Sequence, residues 1–256
     1  MASLSTLLLY VLILVVFSFV PSILYLWWLR NSEVYEREPW GMVFRTFVWG
    51  AVFGVILAVV FTLLVVFALS LSFGPTSRLL DQSHGLGVVV LVVVIAPLAE
   101  ELAKLIGISV ARREINEVED GMVYGGAVGL GFASTENLLY GTTALLTGGV
   151  GMSLILLGIR TISSTLLHAS ATASSGLGMG NYYVLRDGAS VIPYYLLAVL
   201  MHSSFNLFAS LSSLFPGENE ELLALVGFFA AILFAMVAFG QIRGKIIQQD
   251  RSRRSI

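Results

Sequence analysis

Leu86 to Val110 reads LGVVVLVVVIAPLAEELAKLIGISV. Before Pro97 the run is apolar throughout; after it, Glu100, Glu101 and Lys104 sit among Leu, Ala and Ile. A helix needs about 20 apolar residues to cross the hydrocarbon layer of a bilayer, and this stretch supplies them. A charged side chain near the bilayer centre costs at least about 2.5 to 3.5 kcal/mol on insertion scales, so each one inside a span is a functional candidate by default.

The same apolar pattern recurs on both sides. Spans are expected near 4–29, 42–72, 86–110, 121–146, 152–180, 191–214 and 221–243. Charges, Gly and Pro concentrate in the connections at Arg30 to Pro39, Gly74 to Gly85, Ala111 to Asp120, Asn181 to Ser190 and Phe215 to Glu220. The chain is 57% hydrophobic and only 12% charged, roughly half the charge of an ordinary globular domain. These features predict an all-α, polytopic transmembrane bundle of about seven helices, one domain over residues 1–256, in the cell membrane as a multi-pass protein. Leu4 to Leu29 has no basic region before it and no small-residue cleavage site after it, so it reads as a retained helix. With no cysteine, disulfides, thiolate metal sites and a cysteine nucleophile are excluded. No basic face interleaved with aromatics supports nucleic-acid binding.

Basic residues orient the bundle. Arg30, Arg37 and Arg45, then Arg112 and Arg113, then Arg186, and five more in the C-terminal tail fall on alternate connections, against Arg78 alone on the other side. The positive-inside rule therefore puts the C-terminus in the cytoplasm and the N-terminus outside, which requires an odd number of helices.

Few polar residues lie within the spans, and their depths agree. Counted from the cytoplasmic helix ends, Glu100 and Glu101 lie about ten residues in, His168 and His202 about twelve, and Glu136 about fifteen, a slab of roughly 8 Å near the midplane. Arg160 and Asn206 accompany them. Thr161, Ser164, Thr165, His168, Thr172 and Ser175 recur with helical spacing, and Gly125, Gly129, Phe132, Glu136 and Tyr140 share a face whose small residues permit close helix packing. Glu100 and Glu101 diverge by about 100° around their helix, so they have different jobs, and Lys104 can neutralise one of them. Pro97 loosens the helix before them.

Acids and imidazoles at one level suit hydrolysis. In one arrangement His168, His202 and Glu136 hold a divalent metal, zinc by preference, which lowers the pKa of its water toward ~7, with Glu100 or Glu101 as base. In another the Glu and His residues polarise water without metal, and Asn206 or Arg160 donates to the oxyanion. A proton-coupled transporter or channel would use the same groups as a relay, and a catalytically idle scaffold would use the small-residue faces. The acids of Tyr35 to Pro39 and Ala111 to Asp120 read as solvated connections, and His84 as loop surface.

Taken together, YEREP at Tyr35 to Pro39, EELAK at Glu100 to Lys104, GLGFASTENLLY at Gly129 to Tyr140, Arg160 with HASAT at His168 to Thr172, and HSSFN at His202 to Asn206 resemble the PrsW family of intramembrane proteases. That family is distantly similar to the CAAX prenyl endopeptidase and bacteriocin-immunity membrane proteins. The resemblance implies a protease that requires Glu100, Glu101 and His168, and a substrate that is itself a membrane-spanning protein, in the bacterial case an anti-sigma factor.

Overall fold

The computed structural model describes residues 3–73, 87, 89–215 and 217–252. The Gly74 to Gly85 connection, with Arg78 and His84, lies outside them. Helix α1 (Leu4–Arg30) is followed by α2 (Trp40–Trp49) and α3 (Val55–Phe73), joined without a break through the π-helical turn Gly50–Gly54. A second π segment, Val90–Ile95, leads into α4 (Ala96–Ile108). Then come α5 (Val118–Ile162), α6 (Ser164–Leu185), α7 (Val191–Ala209) and α8 (Glu220–Ser252).

Among the described residues, five stretches are long and apolar enough to cross a membrane: Leu4–Arg30, Trp40–Ser72, Val118–Leu185, Gly188–Ala209 and Glu220–Ser252. The third of these crosses twice. At Gly149 the backbone takes φ 78 and ψ -177, a conformation open to glycine, and the chain folds back on itself so that Ser153 Oγ donates to the Gly141 carbonyl at 2.8 Å. The helix from the π segment to Ile108 adds one more crossing. The protein is a multi-pass membrane protein, an all-α bundle.

The two ends of the topology meet on one side. Asp250, near the end of α8, accepts from the backbone N–H groups of Val34 and Tyr35 at 3.0 and 3.3 Å, and Arg243 Nε donates to Ser32 Oγ at 3.0 Å. The first connection and the C-terminal helix end can share a face only if the number of crossings is odd.

Lipid-facing positions carry Leu8, Leu63, Leu146, Leu200 and Leu233, all well exposed. Because lipid tails are as apolar as leucine, helix association here depends on close packing rather than on hydrophobic burial. The α5–α6 pair shows how that packing is achieved. A Cβ on Gly121 would fall on the Gly176 carbonyl, one on Gly125 on the Thr172 carbonyl, and one on Gly129 on the His168 carbonyl. Glycine at these three positions lets the two backbones run in direct contact, and α6 is consequently buried on all sides from Ser164 to Gly180. The polar stripe read in the sequence is therefore one part of a fully enclosed helix.

Candidate active site in the membrane interior

Four helices bring their polar side chains to one place. Helix α4 supplies Glu100, Glu101 and Lys104; α5 supplies Glu136, Asn137 and Arg160; α6 supplies His168 and Thr172; α7 supplies His202 and Asn206. Glu101 and Lys104 have no exposed surface, and His168 and His202 are nearly as buried.

Lys104 is the hub. Its Nζ lies 2.8 Å from Glu101 Oε1, 3.3 Å from Glu100 Oε2 and 2.8 Å from His168 Nδ1, and it sits 4.0 Å over the Phe132 ring. An ammonium only donates, so His168 Nδ1 accepts and the ring proton is on Nε2, where Glu136 Oε2 receives it at 2.7 Å. Arg160 Nη2 meets the same Glu136 oxygen at 2.9 Å, while its Nε donates to Asn137 Oδ1 at 2.7 Å and Nη2 also donates to Ser164 Oγ at 3.0 Å. Arg160 can reach all three because the helix breaks at Ser163, one turn before His168.

Glu101 is saturated: besides Lys104 it accepts from His202 Nδ1 at 3.0 Å and from Thr172 Oγ1 at 3.2 Å. This contact puts the His202 proton on Nδ1 and leaves Nε2 as a lone pair 3.9 Å from Glu100 Oε2. The two imidazole rings stand edge to face with centroids 4.7 Å apart. Asn206 points elsewhere, donating to the Val92 carbonyl at 2.8 Å. That carbonyl belongs to the π segment, whose wider turns disturb the regular α-helical hydrogen-bond ladder next to a functional site.

The carboxylates have unequal access. Glu100 and Glu136 line a cavity of about 230 Å³ that is otherwise walled by Val55, Ala58, Val59, Thr62, Leu63, Phe132 and Leu139. Its apolar wall is α3. Formal charge is also unbalanced: Glu100, Glu101 and Glu136 face Lys104 and Arg160, leaving one excess negative charge for a proton or a cation to offset.

Glu100, His168 and His202 each place a donor atom within 4.8 Å of the others, and two imidazoles with one carboxylate are a ligand set that catalytic zinc sites use. His202 Nε2 is free and is oriented by Glu101 in the carboxylate–histidine pattern common behind metal ligands. Both His168 nitrogens have protein partners, so a metal would displace Lys104 or Glu136 from one of them. The residues fit a divalent ion. Glu136, expected as a ligand beside the two histidines, is not within reach of all the donors of this group; it is held by Arg160 and His168, and Glu100 takes its place.

Residues 38–239 match the family described as PrsW family intramembrane metalloprotease. The chain belongs to the PrsW family. The PrsW match runs from Glu38 to Phe239 and so contains every residue of this midmembrane network. A relative in Clostridioides difficile (strain 630), Protease PrsW, is 31% identical over 124 residues, covering 47% of this chain and 47% of that protein. The chain thus aligns with about half the length of that relative. No solved structure matches.

The sequence singled out Glu100, Glu101, Glu136, Arg160, His168, His202 and Asn206, and the structure brings all but Asn206 into one network of direct contacts. Lys104 was read as a charge partner for one carboxylate; it touches both and His168 as well. Thr172, Asn137 and Thr165, whose Oγ1 accepts from Asn137 Nδ2 at 2.9 Å, complete the shell. Thr165 and Thr172 were signalled by their helical spacing from His168, and Asn137 by lying inside a span beside Glu136.

Proposed function

We propose that the protein hydrolyses a peptide bond of a membrane-spanning protein within the bilayer. One observation carries this reading: Glu100, His168 and His202, from three helices, converge within 4.8 Å, and Glu100 opens on a cavity large enough for a strand of substrate backbone. Membership of a family described as intramembrane metalloproteases supports it.

The chain's own residues divide the work. Glu100, with Lys104 at 3.3 Å and His202 Nε2 at 3.9 Å on one oxygen, faces the cavity, which suits it to take the proton of the attacking water and pass it to the leaving amine. Glu101 does neither; fully engaged with Lys104, His202 and Thr172, it holds His202 in the Nδ1–H tautomer. Lys104 and Arg160 hold His168 and Glu136 in register. A divalent metal on Glu100, His168 and His202 would supply Lewis acidity toward the scissile carbonyl and lower the pKa of a water toward ~7. Glu136, the other carboxylate on the cavity wall, would then be the one left to accept the proton. Asn206 anchors the π segment through Val92, which keeps α4 and α7 at fixed depth.

The test is cleavage of a candidate membrane substrate by purified protein in detergent, comparing wild type with Glu100→Gln, Glu101→Gln, His168→Ala and His202→Ala. Each variant is expected to elute as a folded species and to cut at least about 100-fold more slowly, the usual scale for loss of an acid–base group. Wild-type rates in all four would remove the protease assignment, and proton flux without cleavage in the wild type would put a relay in its place.

A further inference from the structure

A second group of buried acids lies far from the midplane. Asp120 and Glu136 are 16 residues apart on α5, about 24 Å along its axis. Glu33, Glu38 and Asp120 are 1%, 6% and 1% exposed, and each offers a carboxylate oxygen within 4.8 Å of the other two. They come from the α1–α2 connection and the first turn of α5; Glu38 and Asp120 fall in stretches expected to be solvated, and the structure instead packs these two segments against each other and the connection against the end of α8.

Their hydrogen bonds fix the cluster but do not satisfy it. Asp120 Oδ2 accepts from the N–H groups of Asn116 and Glu117 at 2.9 and 2.7 Å, Tyr124 OH donates to Glu38 Oε2, and Glu33 Oε2 accepts from Glu38 N at 3.2 Å. The remaining oxygen of this carboxyl, Glu33 Oε1, is buried and accepts no hydrogen bond. The guanidinium groups nearby spend their Nε donors on main chain: Arg30 donates to the Glu38 carbonyl at 2.6 Å and Arg37 to the Glu33 carbonyl at 2.9 Å. A cavity of about 200 Å³, walled in part by Glu36, Glu114 and Glu117, reaches Glu38 and Asp120.

We propose that Glu33, Glu38 and Asp120 bind a hard divalent cation of the calcium or magnesium kind at the cytoplasmic boundary. The donors are all oxygen, which such ions select over nitrogen and sulfur, and the adjoining cavity has room for the waters that complete their coordination. Bound there, the cation ties the α1–α2 connection to the N-terminal turn of the helix that carries Glu136.

The experiment is equilibrium dialysis of the full chain in detergent against Ca²⁺ and, in a separate arm, Mg²⁺, with wild type, His168→Ala, Glu33→Gln and the exposed, distant control Glu221→Gln. One saturable site per chain is expected in wild type, His168→Ala and Glu221→Gln, with affinity at least about tenfold weaker in Glu33→Gln. The arm that saturates identifies the ion. Absence of saturable binding in both arms, or binding untouched by Glu33→Gln, overturns the site. Should Glu33→Gln not fold, hydrogen exchange of the wild type decides: the cation should slow the amides of Val34, Tyr35 and Glu38 by at least about tenfold, and unchanged exchange rejects the proposal. Neither readout depends on proteolysis.

Discussion

Lys104 Nζ, on α4, lies 2.8 Å from Nδ1 of His168, on α6. The contact joins the two helices that carry the acids and the first imidazole, and it is completely shut off from solvent and lipid at the lysine end. A buried cation held by two carboxylates and a ring nitrogen cannot be removed without leaving charge behind.

Lys104→Met is therefore expected to cost about 3 to 5 kcal/mol, the penalty for breaking one side of a buried ion pair. Cleavage should disappear with it. Thermal unfolding in detergent, read beside the cleavage rate, checks both; a stable, active Lys104→Met protein would show that the network is not held by this residue.

Arg160→Gln should behave differently. It frees Glu136 and Asn137 without uncovering a fully buried charge, since the Glu136 side chain is 21% exposed on the cavity side. The expected effect is a fall in kcat of about 10- to 100-fold with KM and unfolding temperature little changed, the pattern of a lost positioning contact. A rise in KM alone would place Arg160 in substrate binding.

The α5–α6 contact offers a packing test. Gly129→Ala drives a methyl group into the His168 carbonyl and is expected to cost about 1 to 3 kcal/mol while displacing the imidazole. Gly151→Ala, where a Cβ would meet nothing within 4 Å, should be neutral or stabilising by up to about 1 kcal/mol. Equal effects at the two sites would mean that the helix pair tolerates separation.

Access along α3 is testable with Val59→Trp. Val59 lines the cavity that reaches Glu100 and is 54% exposed toward lipid, so the larger ring should block the groove without disturbing the core. Cleavage of a membrane substrate is expected to fall about tenfold through KM, with the unfolding temperature unchanged. An unaffected rate would place substrate entry elsewhere.

Metal dependence follows from the donor set. Removing metal with a membrane-permeant chelator should abolish cleavage, restored by adding back one equivalent of the right divalent ion, and His202→Ala should lose stoichiometric binding by elemental analysis. Full activity in metal-free protein would leave Glu100 acting on water with the imidazoles alone.

Helix number and the position of each polar group along its span were legible because both are linear in chain position: a run of about 20 apolar residues spans, and each residue adds 1.5 Å. Glu100, Glu101, His168 and His202 could thus be placed at one level before any fold was known. Which atom meets which could not. The Val90–Ile95 π segment changes the local turn and gives Asn206 a backbone carbonyl to hold, and the Ser163 break lets Arg160 reach back to Glu136, turning that carboxylate toward a guanidinium.

Of the acids read as solvated, Glu36 is exposed, whereas Glu38 and Asp120 are buried. Local composition could not separate them, because Tyr124 donates to Glu38 from far along the chain and the Asn116 and Glu117 amides cap Asp120. The amino-acid order by itself determined that this is a multi-pass helical bundle with acids and histidines inside its spans, since the cost of polar groups in lipid acts on each segment alone. Only the tertiary structure decided which carboxylate stays free, which imidazole nitrogen keeps its lone pair and where a second acidic pocket forms, because those depend on helix rotation and on contacts between residues far apart in the chain.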